Sequence, residues 1–258
     1  MNPFITAILY VLVTHQIDGL LTSIYLHRAM THQGIKLVPA LAFVMRVWLW
    51  MFTWQAMRSW VAVHRKHHRF TDVEGDPHSP LLIGLWKLFW THEKYYTEAA
   101  NDQKLVEEYC WGIPKTKADV ILENGPLGVS FGLVFTMVFF GAFYGWWGLL
   151  MGAVAFVAQL YLYLRTAAGI NSVGHARGYK NFDDNTATNV PFLGWLGAGE
   201  GWHNNHHHDQ NSPKLGFLKS EFDPSWVVIW VLIKLKLAAQ IKPTINERLE
   251  KQKISHPA

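Results

Sequence analysis

The chain has 258 residues, 50% of them hydrophobic, 14% aromatic and only 16% charged, with a formal net charge of +4. That balance is too apolar for an ordinary soluble domain. A single cysteine, Cys110, excludes an internal disulfide and any thiolate-built zinc or iron–sulfur site, and no nucleic-acid partner is expected.

Residues 3–26 contain no Lys or Arg and approach the roughly 20 apolar residues needed to cross the hydrocarbon core. They lack the basic start of a cleaved signal peptide. Inside this predicted span His15 and Asp18 are three apart, where ionisable groups are costly; they are expected to pair with each other or with a later hairpin. HRAMTH follows, with His27 and His32 five apart, a spacing that diverges on an ideal helix and predicts a helix end that bends. Residues 41–57 are short, rich in tryptophan and interrupted by Arg46, which suits an interfacial or re-entrant segment. In HRKHH, His67 and His68 lie three and four residues after His64, so one helical face is expected to offer three imidazoles in one patch. Residues 127–145 and 146–169 read as two further spans joined in a hairpin. NSVGH sets Asn171 four before His175, an amide oxygen beside an imidazole. HNNHH repeats the HxxHH spacing at His203, His206 and His207. The stretch 226–239 alternates apolar residues with Lys234 and Lys236, the pattern of an amphipathic interfacial helix.

Nine of the 14 histidines therefore fall in short clusters, and imidazole is a strong ligand for iron, zinc, copper or nickel only where several nitrogens converge. The set reads as a site for more than one metal ion. His92 and His256 are expected to be spectators, His208 to extend its cluster without ligating, and His78 to be structural or to orient a ligand. No basic residue occurs in 1–26 or between Lys117 and Arg165, so all 23 lie outside the first segment and the hairpin; basic residues accumulate on the cytoplasmic side. If 41–57 crossed, His27 and His32 would be cut off from the other seven. Convergence thus selects three crossings, with 27–126 and 170–258 on the cytoplasmic side. The expected fold is an all-α integral membrane protein, one domain over 1–258, with about three transmembrane helices, an interfacial helix, and a helical cytoplasmic cap holding the histidines.

HRAMTH, HRKHH, NSVGH and GEGWHNNHH, in that order, resemble the histidine boxes of the membrane-bound acyl-CoA and acyl-lipid desaturases of the stearoyl-CoA desaturase type. DPHSP at 76–80, Trp60 and FDPSW at 222–226 extend the likeness over about 24–237. The resemblance implies two iron ions held by His27, His32, His64, His67, His68, His175, His203, His206 and His207, with Asn171 linked through water, and an O2-dependent removal of two hydrogens from adjacent methylenes. It implies a fatty acyl substrate on coenzyme A, acyl-carrier protein or lipid. The extra upstream span and the appended cytochrome-like domain of better-known members are not expected here, so electrons come from a separate ferredoxin, rubredoxin or cytochrome b5 with a reductase. The expected setting is a bacterial inner membrane, with the active site on the cytoplasmic face.

The chemistry agrees, because an unactivated methylene offers nothing to acid–base or nucleophilic catalysis. Glu200, Asp76 and Asp72 are candidates to accept imidazole N–H groups and fix tautomers. Phe52, Trp54, Trp60 and Trp202 are candidates to line an apolar acyl tunnel, and Arg58, Arg65, Lys66 and Arg69 could hold coenzyme A phosphates or an acidic carrier. A hydroxylase or acetylenase on the same scaffold would show the same boxes. A metal transporter would place histidines along a crossing path, and a zinc hydrolase would show HExxH, which is absent.

Overall fold

A computed structural model describes residues 2–255; His256 lies outside them. Helix α1 (Pro3–Leu21) starts on an Asn2 cap, whose side chain accepts from Phe4 N. It runs without a break into a π-helical segment, Thr22–Thr31. Strand β1 (Ile35–Leu37), α2 (Pro39–Thr53) and α3 (Met57–Arg69) follow, then α4 (Pro80–Ile83), α5 (Leu85–Asn101), α6 (Gln103–Tyr109) and α7 (Asp119–Leu122). The long α8 (Gly125–Ser172) leads through a 3-10 turn, Val173–His175, to α9 (Pro191–Leu196), α10 (His203–His208), α11 (Pro224–Lys234), β2 (Ala238–Gln240) and α12 (Ile245–Ser255). The two strands pair antiparallel, Ile35 opposite Gln240.

Among the described residues two helices are long and apolar enough to cross a membrane, Pro3–Thr31 and Gly125–His175. The second doubles back at Gly145, whose φ of 63° and ψ of −147° suit glycine. Its arms, 125–144 and 146–172, pack on a seam of small residues: a Cβ on Gly148 would lie 2.2 Å from the Phe140 carbonyl oxygen. Outward-facing Phe131, Val134, Phe135, Val138, Leu150 and Val154 are all more than half exposed, a continuous apolar surface of the kind that seeks lipid or a partner.

Helix α2 has 15 residues, a length of about 22 Å against a hydrocarbon core of about 30 Å. It packs along the first arm of α8, with Trp50 against Gly128 and Met51 against Gly132. Arg46 is paired at 2.6 Å with Asp119 and at 2.8 Å with Glu123. Asp18 accepts from Trp48 Nε1 at 2.7 Å and from Gln159 Nε2 on the second arm, so it does tie α1 to the hairpin. His15 takes no part in that: it is buried and neither ring nitrogen has a hydrogen-bond partner.

The tail is a correction. The helix stops at Lys234, Lys236 adopts a φ of 59°, and the chain leaves in β2 because β1 offers it a pairing edge. Beneath it a core of Ile24, Leu26, Leu49, Val61, Ala62 and Ile229 joins the π-segment, α2, α3 and α11, fixing the elements that carry the histidines.

Candidate metal centre

The π-segment replaces the expected bend. Its hydrogen bonds run from residue i+5 to i, His32 N donating to the His27 carbonyl at 3.1 Å, so residues five apart stack on one face. The His27 and His32 rings are 4.8 Å apart as a result.

Nine imidazoles gather in two groups whose ligand atoms lie within 4.8 Å of one another: His27, His32, His64, His68 and His206 in one, His67, His175, His203 and His207 in the other. The expected three-imidazole patches are therefore split. Adjacent residues on an α-helix point about 100° apart, so His67 and His68 face different groups, as do His206 and His207. The pairs that stay together, His64 with His68 and His203 with His207, are four apart.

Within the five-histidine group Nε2 of His206 lies 3.0 Å from that of His27 and 2.8 Å from that of His68, and Nε2 of His64 lies 3.2 Å from that of His32. In the second group Nε2 of His203 is 2.9 Å from that of His175, and Nε2 of His67 is 3.4 Å from that of His207. Metal–nitrogen bonds of about 2.0–2.1 Å put neighbouring ligand atoms about 3 Å apart and opposite ones about 4 Å apart, and the observed spacing fits. Burial first, and the neighbouring imidazoles second, hold His32, His64, His68, His203, His206 and His207 well below the usual histidine range. Neutral lone pairs converging this closely repel one another unless a cation sits among them.

Three carboxylates brace the rings from behind. Glu200 lies 2.7 Å from His27 Nδ1, both Asp76 oxygens lie 3.0 Å from His67 Nδ1, and Asp72 lies 2.8 Å from His175 Nδ1. With an acceptor there, Nδ1 carries the proton and Nε2 presents its lone pair to the cluster. Burial alone would raise the Asp72 carboxyl, but His175, Ser79 and Thr186 hold it at about 2. Glu200 is likewise drawn below its usual range against burial, by His27, Arg28 and Ser23.

An apolar cavity adjoins His27, His64 and His203 and continues past Trp60, Tyr163 and His15. Trp60 stacks on His64 with centroids 4.8 Å apart, forming a wall beside the first group.

The family model for fatty acid desaturases matches residues 3–213. The chain belongs to that family. A hex-5-enoyl-acyl-carrier-protein acetylenase from Moorena producens (strain JHB) is 30% identical, over 90% of this chain and 76% of its own length. A Delta-9 acyl-lipid desaturase from Arabidopsis thaliana is 29% identical, over 91% of this chain and 74% of its own. An acyl-CoA 5-desaturase from Anemone leveillei is 30% identical, over 91% and 70%. Desaturases are oxidoreductases, and so is this protein.

Other expectations sort by geometry. Of the four aromatics considered for the tunnel of this desaturase, Trp60 lines the cavity. Phe52 is stacked on Trp48, Trp54 is 46% exposed, and Trp202 is buried with its Nε1 donating to the Phe222 carbonyl; none of these three lines it. Arg58 and Arg65 are spent on backbone carbonyls, Arg58 on Ile113 and Arg65 on Met30, Thr31, Tyr109 and Trp111, so they cannot reach a phosphate. Arg69 is exposed and Lys66 half-buried. His208 stacks on Phe182 and pairs with Asp184, away from both groups. His78 stacks on His67 at 4.7 Å. Asn171 donates to the Ala167 carbonyl at 3.1 Å, meets His92 Nε2 at 3.2 Å and lines the cavity that adjoins His64 and His203.

His92, expected to be a spectator, belongs to neither histidine group but is buried at the cavity wall beside His78. Nothing in its spacing marked it. The two asparagines inside HNNHH were also overlooked: Asn205 donates to Glu221 at 2.8 Å and to the Leu215 carbonyl at 2.9 Å, and Asn204 accepts from the Asn181 and Phe182 amides. Fully buried amides amid ligands are the signal that they anchor a short helix.

Proposed function

We propose that this desaturase introduces a double bond into a saturated fatty acyl chain at two iron ions, one held by His27, His32, His64, His68 and His206, the other by His67, His175, His203 and His207. The carrying observation is the pair of convergent imidazole groups beside one apolar cavity. Iron bound there would activate O2, the oxidant that unactivated C–H bonds require. The balance is one CH2–CH2 unit, one O2, two electrons and two protons giving one CH=CH unit and two waters.

The protein's own part is positional. Glu200, Asp76 and Asp72 fix three ring tautomers, Trp60 and the cavity walls keep water from an inserted chain, and Asn171 contributes through water. Three crossings, α1 and the two arms of α8, put both groups and every basic residue on the cytoplasmic side; the shortness of α2 supports that count. The two electrons come from a separate donor.

A second reading, further dehydrogenation of an existing double bond to a triple bond, is favoured by the acetylenase relative at 30% identity. One experiment separates them. The protein is reconstituted with iron and a reducing system and given saturated and monounsaturated acyl-CoA, acyl-carrier and lipid substrates, with products identified by mass spectrometry. Loss of 2 Da from saturated chains is expected; products lacking any O2-dependent unsaturation would refute both readings.

A further inference from the structure

The histidine groups are approached from two separate directions. The apolar cavity touches His27, His64 and His203; a polar cleft at the surface touches His32 and His68, and no residue lines both. His32 and His68 are themselves only half-buried. The cleft's rim carries Arg69, Lys242, Glu108 and Trp111, all exposed. Beneath them the Arg65 guanidinium lies 3.9 Å over the Trp111 ring. No carboxylate among the described residues pairs with Arg69, whose guanidinium lies 6.0 Å from the Phe70 ring, or with Lys242, so neither charge is neutralised and both are exposed to a partner.

We propose that this cleft is the docking surface of a small acidic electron-transfer protein, whose redox centre is thereby brought to the His32–His68 edge of the five-histidine group. The proposal rests on the desaturase reading, which requires two electrons per turnover from outside the substrate. A donor cannot use the apolar cavity while an acyl chain fills it. The cleft reaches the same group without disturbing that chain. Weak redox encounters bury small interfaces and depend on charges at the rim for their rate of association; two exposed cations around a half-exposed tryptophan meet both conditions. Glu108 is the one acidic rim residue and opposes such a partner, which gives the proposal a sign that can be tested in both directions.

The test is calorimetric titration of the detergent-solubilised, iron-loaded protein with an acidic 2Fe–2S ferredoxin at low salt. Arg69→Glu with Lys242→Glu should weaken binding about tenfold, and Glu108→Lys should tighten it about threefold, with both differences fading in high salt. Lys219→Glu, an exposed site outside the cleft, should change affinity by less than about twofold, a margin set by screening between distant surface charges. Equal affinities for all variants, or a shift in the same direction for Arg69→Glu and Glu108→Lys, would overturn the docking surface. Product formed after chemical reduction with dithionite needs no docked protein. Its absence in the unmodified chain would remove the desaturase reading, whereas unchanged ferredoxin affinities remove the docking surface alone.

Discussion

Asp72→Asn should weaken one iron site and largely spare the other. Asp72 accepts from His175 Nδ1 at 2.8 Å, from Ser79 Oγ at 2.6 Å and from the Thr186 hydroxyl, with only 2% of its side chain exposed. Asparagine keeps the shape and one acceptor oxygen but removes the charge, and charge-assisted hydrogen bonds are about twice as strong as neutral ones. Loss of such an orienting partner costs about 10–100-fold in metal affinity, or about 1.4–2.8 kcal/mol at 1.4 kcal/mol per tenfold. His175 belongs to the four-histidine group, which has fewer nitrogens to share the loss, while the five-histidine group has no contact with Asp72. Competition against a graded series of iron chelators, with iron read by mass spectrometry, should show one of two equivalents leaving at a chelator strength about 10–100-fold lower than in the parent. The second equivalent should move by less than about threefold on the same scale. Simultaneous, equal loss of both equivalents would refute the assignment of Asp72 to one group, and an unchanged profile would refute its orienting role altogether.

Acid should act through the ligands. Six histidines are held neutral in the fold, so below the unfolded-chain value of about 6.5 the unfolded state takes up protons that the folded state refuses, and stability falls with pH by up to about 1.4 kcal/mol per unit for each. Thermal unfolding of the metal-free protein should therefore be flat above pH 7 and collapse between about pH 6.5 and 5.5, and a pH-independent midpoint would contradict the burial. Arg28 and Asp223 form a bidentate pair at 3.0 Å, each side chain 1% exposed. Asp223→Ala strands a buried guanidinium and should cost about 3–5 kcal/mol, more than Arg28→Met with Asp223→Ala together, as a double-mutant cycle of denaturation midpoints would report. Gly148→Val places a side chain into the Phe140 carbonyl and should abolish accumulation of folded protein in the membrane fraction, whereas Gly145→Ala, which meets open space but a positive φ, should fold at a cost of about 1–3 kcal/mol.

Chain order and spacing made most of this legible. The two long apolar helices, the turn at Gly145 and the short α2 follow from apolar length, and Glu200, Asp76 and Asp72 follow from proximity to the boxes, because the site is built from local motifs. What failed depended on geometry that spacing does not carry. HxxHH shows that three imidazoles lie near one face, but the angle between adjacent residues divides them, and only the facing helix reveals it. The five-residue step from His27 to His32 gave no hint whether the helix bends or widens. Arg58 and Arg65 look like free charges because backbone carbonyls cannot be seen as partners in a sequence. Trp54 and Trp202 look like tunnel walls for the same reason that any aromatic near a ligand does, and His92 looked idle because α5 contacts the site only through the fold.

The division of each HxxHH turn between both groups has a consequence for how the protein survives. His68 and His206 are 138 residues apart and His67 and His207 are 140 apart, so two ions bound as proposed would crosslink α3 to α10 across the whole hairpin. In a chain with one cysteine they would serve as its staples, and closing loops of that length is worth several kcal/mol in a covalent link, about 4.7 for 100 residues. Without iron, the helical cap that carries the histidines would lack that restraint and should be the part of the molecule that opens first to proteases. On the proposed ligation, iron supply would set the lifetime of the chain as well as its turnover.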